Sequence, residues 1–433
     1  ALHLKGMEVS GSDDIIFDPS RSRLIAHGLL PKNEGWFPEK ITSNIDAIIL
    51  GMHAKLDNPE LLKAQNLGLN IYSYPEFIYK LSKTKTRIVI AGSHGKTTIT
   101  AMIIHVLKYH GRSCDFIVGA EIDGFDIMVQ LSDENDFIVL EGDEYLSSSI
   151  DLKPKFHHYK PNIALVSGIA WDHINVFPTF ENYKEQFLIF LDSIIDGGSI
   201  TYNSEDFDVK DLVENSEKPI RRFPYFTPQF QIINGITFLE TDEGLIPLDV
   251  FGLHNLMNLS GAKWICQQMG VDQVDFYEAI SSFSGAKKRL EKIAINKTSI
   301  IFKDFAHSPS KVRATTSAVK DQYPNRYLLA CLELHTYSSL NESFLEEYKN
   351  TLNEADEVVI FYSAKALEIK NIKAVEKEKI IKSFQHSNLN IYNDSKSFID
   401  FLKSKNFDKT SLLLMSSGNY GGIDFDDIKK MIL

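Results

Sequence analysis

Residues 87–98 read Arg87-Ile88-Val89-Ile90-Ala91-Gly92-Ser93-His94-Gly95-Lys96-Thr97-Thr98, a β-branched apolar run that ends in a short glycine loop. Beyond it Ile99, Met102, Ile103, Val106 and Leu107 recur at helical spacing and stop before Gly111, which suits a left-handed helix end. The stretch predicts strand, loop, helix. A loop so placed turns its backbone N–H groups and the positive end of the helix toward a phosphate, while Lys96 reaches the terminal phosphates and the Thr97 hydroxyl can ligate Mg²⁺. The first glycine of the general phosphate-loop pattern is replaced by Ile90, so the motif is the shorter Gly92-x-x-Gly95-Lys96-Thr97. Its flanking strand and capped helix carry the reading rather than the bare match.

At 433 residues the chain is long enough for about three domains. A formal net charge of −12 argues against nucleic acid as a partner but leaves room for a small anionic substrate in a local basic pocket. Cys114, Cys266 and Cys331 have no paired spacing and read as buried thiols of a reducing compartment. No apolar run approaches a membrane span and no signal peptide opens the sequence, so the expected location is the cytoplasm. Ala1 to Gly6 resembles the last turn of a helix, and Glu8 to Asp13 a strand and its exit. A sheet beginning there lacks its first strand and loop, which suggests residues upstream.

Up to about residue 81, short apolar segments (Met7–Ser10, Asp46–Leu50, Asn70–Tyr72) alternate with helical ones (Ser20–His27, Pro59–Asn66), as in a small parallel α/β unit. Ligands of such sheets sit at the carboxyl ends of strands, so Ser12, Asp13, His53 and Asn58 are candidates for holding a nucleotide-like substrate; the alternative is ordinary turn chemistry. Polar residues 82–87 read as a linker. In the next unit one strand delivers Lys96 and Thr97, the strand Asn135–Leu140 ends at Glu141, and the strand Asn162–Ser167 runs out to Asp172-His173. The three converge on one sheet edge. Hard oxygen donors such as Thr97 and Glu141 suit Mg²⁺, and His173 is either a further ligand or a hydrogen-bonded structural histidine. Asn255 and Asn258 share a helix face and can offer paired amides, although Asn255 can equally serve as an N-cap. From Thr298 a second doubly wound sheet is expected, with strands Tyr327–Leu332, Val358–Tyr362, Leu389–Tyr392 and Ser411–Met415. Its loops Lys303–Pro309 and Ser416–Gly422 both leave carboxyl ends of strands.

Taken together these motifs resemble the Mur ligase family, along essentially the whole chain. The segment Gly92, Ser93, His94, Gly95, Lys96, Thr97, Thr98 is similar to the family's nucleotide loop, Glu141-Gly142-Asp143-Glu144 to its acidic Mg²⁺ motif, and Asp172-His173 to its metal-binding histidine segment. His254-Asn255-x-x-Asn258 matches the adenine site and Asp304 to Pro309 the C-terminal loop. The resemblance implies an α/β fold of three domains: a Rossmann-like UDP-binding domain (1–82), a central ATP-binding domain (83–295) and a Rossmann-like C-terminal domain (296–433). It implies ATP and Mg²⁺, with UDP-N-acetylmuramate and an amino acid or short peptide as partners. Asn255, Asn258, Arg289 and Asp304 would approach the nucleotide, and Lys96, Glu141, His173 and His307 the reacting groups. Within the family, Tyr145, Lys155-Phe156-x-His158-Tyr159-x-Pro161 and Met415 to Ile423 look most like the branch that attaches L-Ala-γ-D-Glu-meso-diaminopimelate. Leu334 to Ser338 is closer to the branch that attaches L-alanine. The rival expectations are another ligase of the superfamily, such as a folylpolyglutamate synthase, and a non-catalytic nucleotide-binding regulator.

Overall fold

Residues 1–82 carry helix α1 (Ser20–Ala26), strand β1 (Ile48–Leu50), helix α2 (Pro59–Asn66), strand β2 (Ile71–Ser73) and helix α3 (Tyr74–Ser82). β1 and β2 pair in parallel, Ile48 opposite Ile71. The computed structural model describes the whole chain except residues 120–126, 172, 173, 175, 287, 288, 365, 366, 368–374 and 433. The expected strand at Met7–Ser10 does not form: the nearest pairing is an isolated bridge between Asp13 and Gly35. With no neighbouring ladder among the described residues, the segment has nowhere to place its backbone hydrogen bonds as a strand. The expected helix end before it survives as a single turn, His3–Lys5, closed by Gly6 in the left-handed region.

Lys83 to Lys85 lead into the second unit. Its elements are β3 (Thr86–Ala91), α4 (Lys96–Tyr109), β4 (Asp115–Ile117), β5 (Val129–Gln130), β6 (Phe137–Gly142), β7 (Leu146–Ser148), β8 (Asp151–Pro154), β9 (Ile163–Val166), α5 (Phe180–Asp192), β10 (Ser199–Asn203), α6 (Phe207–Glu214) and β11 (Arg221–Tyr225). They are followed by β12 (Phe230–Ile233), β13 (Ile236–Thr241), β14 (Gly244–Leu248), α7 (Leu253–Gln268) and α8 (Gln273–Ile280). Seven strands form a sheet in the order β11-β10-β9-β3-β6-β4-β5, parallel except for β5. β3 is buried on both faces, which explains its unbroken apolar reading. Ile88 and Ile90 pack toward α4, α7 and α8, whereas Val89 and Ala91 pack toward α5 and α6. Arg87, buried in this strand, donates to the carbonyls of Ser82, Lys83 and Lys85 on the linker and of Tyr159 and Lys160. That pins α3 to the sheet.

The third unit holds β15 (Glu291–Ile295), β16 (Ile300–Asp304), α9 (Pro309–Gln322), β17 (Tyr327–Glu333), β18 (Glu357–Phe361), α10 (Lys377–Phe384), β19 (Leu389–Tyr392), α11 (Ser395–Lys403), β20 (Thr410–Met415) and α12 (Phe425–Lys429). The sheet order is β15-β16-β20-β17-β18-β19, parallel apart from the edge strand β15. β15 pairs with β16 across the expected boundary after residue 295, so residues 291–295 add an edge strand to the third sheet. Sequence spacing missed this because β15 is a half-exposed edge strand with a bulge at Lys292/Ala294 and little apolar signal of its own. No helix among the described residues is long and apolar enough to cross a membrane.

Candidate active site

The glycine loop sits where the central sheet changes winding direction, with β6 on one side of β3 and β9 on the other, the usual place for a ligand crevice in such sheets. Register does the assembly: Ile90 lies opposite Glu141, and Ala91 opposite both Gly142 and Val166. Gly92 has φ +127° and packs so tightly on the β9 loop that an added Cβ would lie 2.2 Å from Ser167 Oγ. Gly95 has φ +76°, and its Cβ would lie 2.2 Å from Asn258 Oδ1. Both positions therefore demand glycine on backbone and contact grounds.

Lys96 Nζ is 2.6 Å from the Gly92 carbonyl and 2.6 Å from Glu144 Oε2. Burial by itself would lower the lysine's pKa, but the carboxylates of Glu144, Asp143 and Glu141 outweigh it and hold the ammonium above its ordinary value. Glu144 is almost wholly buried and also accepts from the Tyr183 hydroxyl at 3.1 Å. Tyr183 Oη lies 2.7 Å from Ser93 Oγ, and Ser93 Oγ accepts from the Ala170 amide at 2.9 Å. One chain of hydrogen bonds thus joins the glycine loop, the acidic loop, the β9 loop and α5. Thr97 Oγ1 donates to Glu141 Oε1 at 2.8 Å, and Glu141 Oε2 accepts from the Gly119 amide at 2.7 Å. A hydroxyl and a carboxylate at that separation beside a phosphate loop are the hard oxygen donors a divalent cation such as Mg²⁺ takes. Asp143 is held by Lys155 at 2.6 Å; burial would raise its pKa, yet Lys155 and Lys96 keep it below the usual range.

The third unit closes on this loop. His94 Nε2 is 2.8 Å from Ser310 Oγ on α9, and Arg289 reaches Thr97 Oγ1 at 3.5 Å with its guanidinium 4.8 Å from the centre of the Phe305 ring. His307 Nδ1 sits 2.8 Å from the Phe305 carbonyl. Of the remaining expected residues, Thr98 is buried in the first turn of α4, and Asn258 is buried against Gly95.

Several expected residues are engaged by the protein itself. The two oxygens of Asp304 accept from the amides of Leu290 and Ala306, both at 2.5 Å, which bolts the interdomain turn, where Leu290 has φ +47°. Burial raises its pKa, partly offset by Arg289 and those amides. Asn255 is not an N-cap; Gly252 holds that position, and the Asn255 amide donates to the Phe251 carbonyl at 2.9 Å. Asn58 spends its side chain capping α2, accepting from Glu60 and Leu61 amides at 3.0 and 3.1 Å behind Pro59. Asp13 is exposed and accepts from the Asp14 amide, Ser12 is half-buried, and His53 is exposed. His173 lies outside the described residues. Glu144 was legible as part of the acidic motif but its pairing with Lys96 was not; Tyr183 and Ser310 had no local signal at all.

With this geometry in hand, the family relations follow. Residues 90–266 match the Mur ligase middle domain. The UDP-N-acetylmuramate–L-alanine ligase of Carboxydothermus hydrogenoformans is 30% identical over 378 residues, 84% of this chain and 78% of that protein. Among solved structures, the murein peptide ligase of Psychrobacter arcticus covers 99% of this chain and 94% of its own, with TM-score 0.66 and 21% identity. The UDP-N-acetylmuramate:L-alanyl-γ-D-glutamyl-meso-diaminopimelate ligase of Neisseria meningitides is 26% identical, with TM-score 0.58, over 65% of this chain and 91% of that one. This chain belongs to the Mur ligase family, the ATP-dependent amide-forming ligases of peptidoglycan precursors.

Proposed function

We propose that the enzyme joins the lactyl carboxylate of UDP-N-acetylmuramate to the alanine amine of L-Ala-γ-D-Glu-meso-diaminopimelate. A carboxylate resists attack by an amine because oxide is a poor leaving group, so the carboxylate first takes the γ-phosphoryl of ATP; amine attack then forms the C–N bond and expels phosphate. Thr97 and Glu141 would hold Mg²⁺, which would neutralise charge on the transferring phosphoryl. Lys96 turns from Glu144 and the Gly92 carbonyl to the phosphate chain, staying charged because three carboxylates surround it. Ser310 from the third unit, and Arg289 just before it over the Phe305 ring, bring that unit onto the loop, which aligns the amine and excludes water from the acyl phosphate. His307 belongs to that closing face. Ser12, Asp13, His53 and Asn58 remain the proposed contacts of the UDP end, Asn255, Asn258 and Asp304 those of the nucleotide, and His173 a proposed second metal contact. The observation that carries the reading is the convergence of Lys96, Thr97 and Glu141 at adjacent strand ends.

The choice of tripeptide rests on the Lys155–Pro161 and Met415–Ile423 segments and on the likeness to the Neisseria enzyme. A second reading, L-alanine itself as acceptor, is favoured by Leu334 to Ser338 and by the Carboxydothermus relative. Both acceptors present the same amine. Phosphate release with ATP, UDP-N-acetylmuramate and each acceptor in competition separates them: the tripeptide should be consumed first. Preferential use of L-alanine refutes the tripeptide, and no release with either refutes the ligase reading.

A further inference from the structure

A cleft of about 760 Å³ lies between α3, the β8 strand with the turn after it, and α5, away from the glycine loop. That volume lies within the range of small-molecule sites. Lys80 and Lys83 line it from α3, and Lys153 and Lys160 from the facing segment, together with the rings of Tyr72 and Tyr79. None of these four lysines has a carboxylate partner among the described residues, in a chain whose net charge is −12. Three of them stand near tyrosine rings: Lys80 is 4.7 Å from the centre of Tyr72 and donates to its hydroxyl at 2.9 Å, and Lys83 and Lys160 are 5.4 and 5.5 Å from the centre of Tyr79. The one acid that lines the cleft, Glu76, is already engaged: it accepts from the Ser73 amide and hydroxyl at 2.8 and 3.0 Å, while Asp151, outside the lining, lies 2.7 Å from His158.

We propose that this cleft is a second anion site, separate from the catalytic one, that takes a small ligand carrying a chain of phosphates. Lysines from two facing walls give compact point charges, the pattern that suits phosphate. Recognition of a planar carboxylate would favour arginine forks, whereas the residues lining the cleft include no arginine, and Arg87 behind it commits Nε and Nη1 to five backbone carbonyls. The site has a route to the catalytic loop. The wall turn begins at Lys155, whose ammonium holds Asp143, the neighbour of the Glu144 that grips Lys96. The inference is independent of which acceptor the enzyme uses.

The test is calorimetric titration of inorganic tripolyphosphate into the full chain preloaded with saturating Mg·ADP, which fills the glycine loop. One equivalent should bind, and Lys80→Gln combined with Lys160→Gln should weaken it tenfold or more, roughly the loss of one charge-assisted contact. Affinity for Mg·ADP should be unchanged in the double variant, whose substitutions are both at exposed positions. A parallel titration with CTP distinguishes the sources: equal affinity assigns the phosphate chain alone, tighter CTP adds base packing on the tyrosines, and both support the site. No binding by the wild type, or equal binding by wild type and double variant, overturns it.

Discussion

Glu144→Ala isolates the contact on which the glycine loop depends. The Lys96 and Glu144 side chains are 13% and 2% exposed and 2.6 Å apart. Removing one member of a buried pair costs ~3–5 kcal/mol, because the other charge stays buried without its counterion. Lys96 keeps its bond to the Gly92 carbonyl and a little solvent, and Tyr183 keeps Ser93, which brings the expected loss to about 2–3 kcal/mol. For a unit of this size that is a fall in melting temperature of roughly 5–10 °C. The lysine's pKa is raised above its ordinary 10.5, so its contribution is fully present below that value and is lost only as pH climbs through the raised one. The destabilisation should therefore be flat across neutral pH. A bound nucleotide offers the stranded ammonium a new anionic partner, so Mg²⁺ with a non-hydrolysable ATP analogue should raise the melting temperature of the variant more than that of the wild type. Glu144→Gln should fall between the two. Thermal melts with and without the analogue read all of this. Equal nucleotide shifts in variant and wild type, or a variant as stable as the parent, would refute the argument that Glu144 stands in for phosphate.

Two more outcomes follow from buried groups near the domain junction. His254 is half-buried with its Nδ1 shut off from solvent, and burial pushes its pKa down from 6.5 to about 4. The folded state thus resists protonation, its stability being present above pH 6.5 and lost as pH falls toward 4, by at most about 3 kcal/mol; urea midpoints at several pH values should show a slope that His254→Gln flattens, and parallel slopes would contradict it. Asp304→Asn keeps one acceptor for the Leu290 and Ala306 amides but not both, which should cost ~1.5–3 kcal/mol in chemical denaturation while Mg·ADP affinity changes little. Intact stability with a tenfold loss of ADP affinity would instead restore a direct nucleotide role for Asp304.

The sequence went furthest where a local pattern has one physical meaning. The β3-loop-α4 stretch was legible because a strand buried on both faces, two glycines and a capped helix leave few alternatives, and α4 indeed runs Lys96–Tyr109 with Gly111 in the left-handed region. Glu141 and the strand ends around it were legible for the same reason. Polar residues at turns were not: Asn58, Asn255 and Asp304 can each cap a helix, tie a backbone or meet a ligand, and their chemistry is the same in every case. What surrounds them is set by the fold, and here each has a backbone partner: an N–H for Asn58 and Asp304, a carbonyl for Asn255.

By itself, then, the chain's order of residues pointed to a nucleotide loop, an acidic strand end and two flanking α/β units, since each shows as a pattern of residue types within some twenty positions. The tertiary structure alone decided which distant groups meet. Strand register sets Ile90 beside Glu141, and the long-range bonds Lys96–Glu144, Ser93–Tyr183 and His94–Ser310 link positions 48, 90 and 216 residues apart. Those pairings depend on sheet order and on the closure of one unit over another, and no local periodicity encodes either.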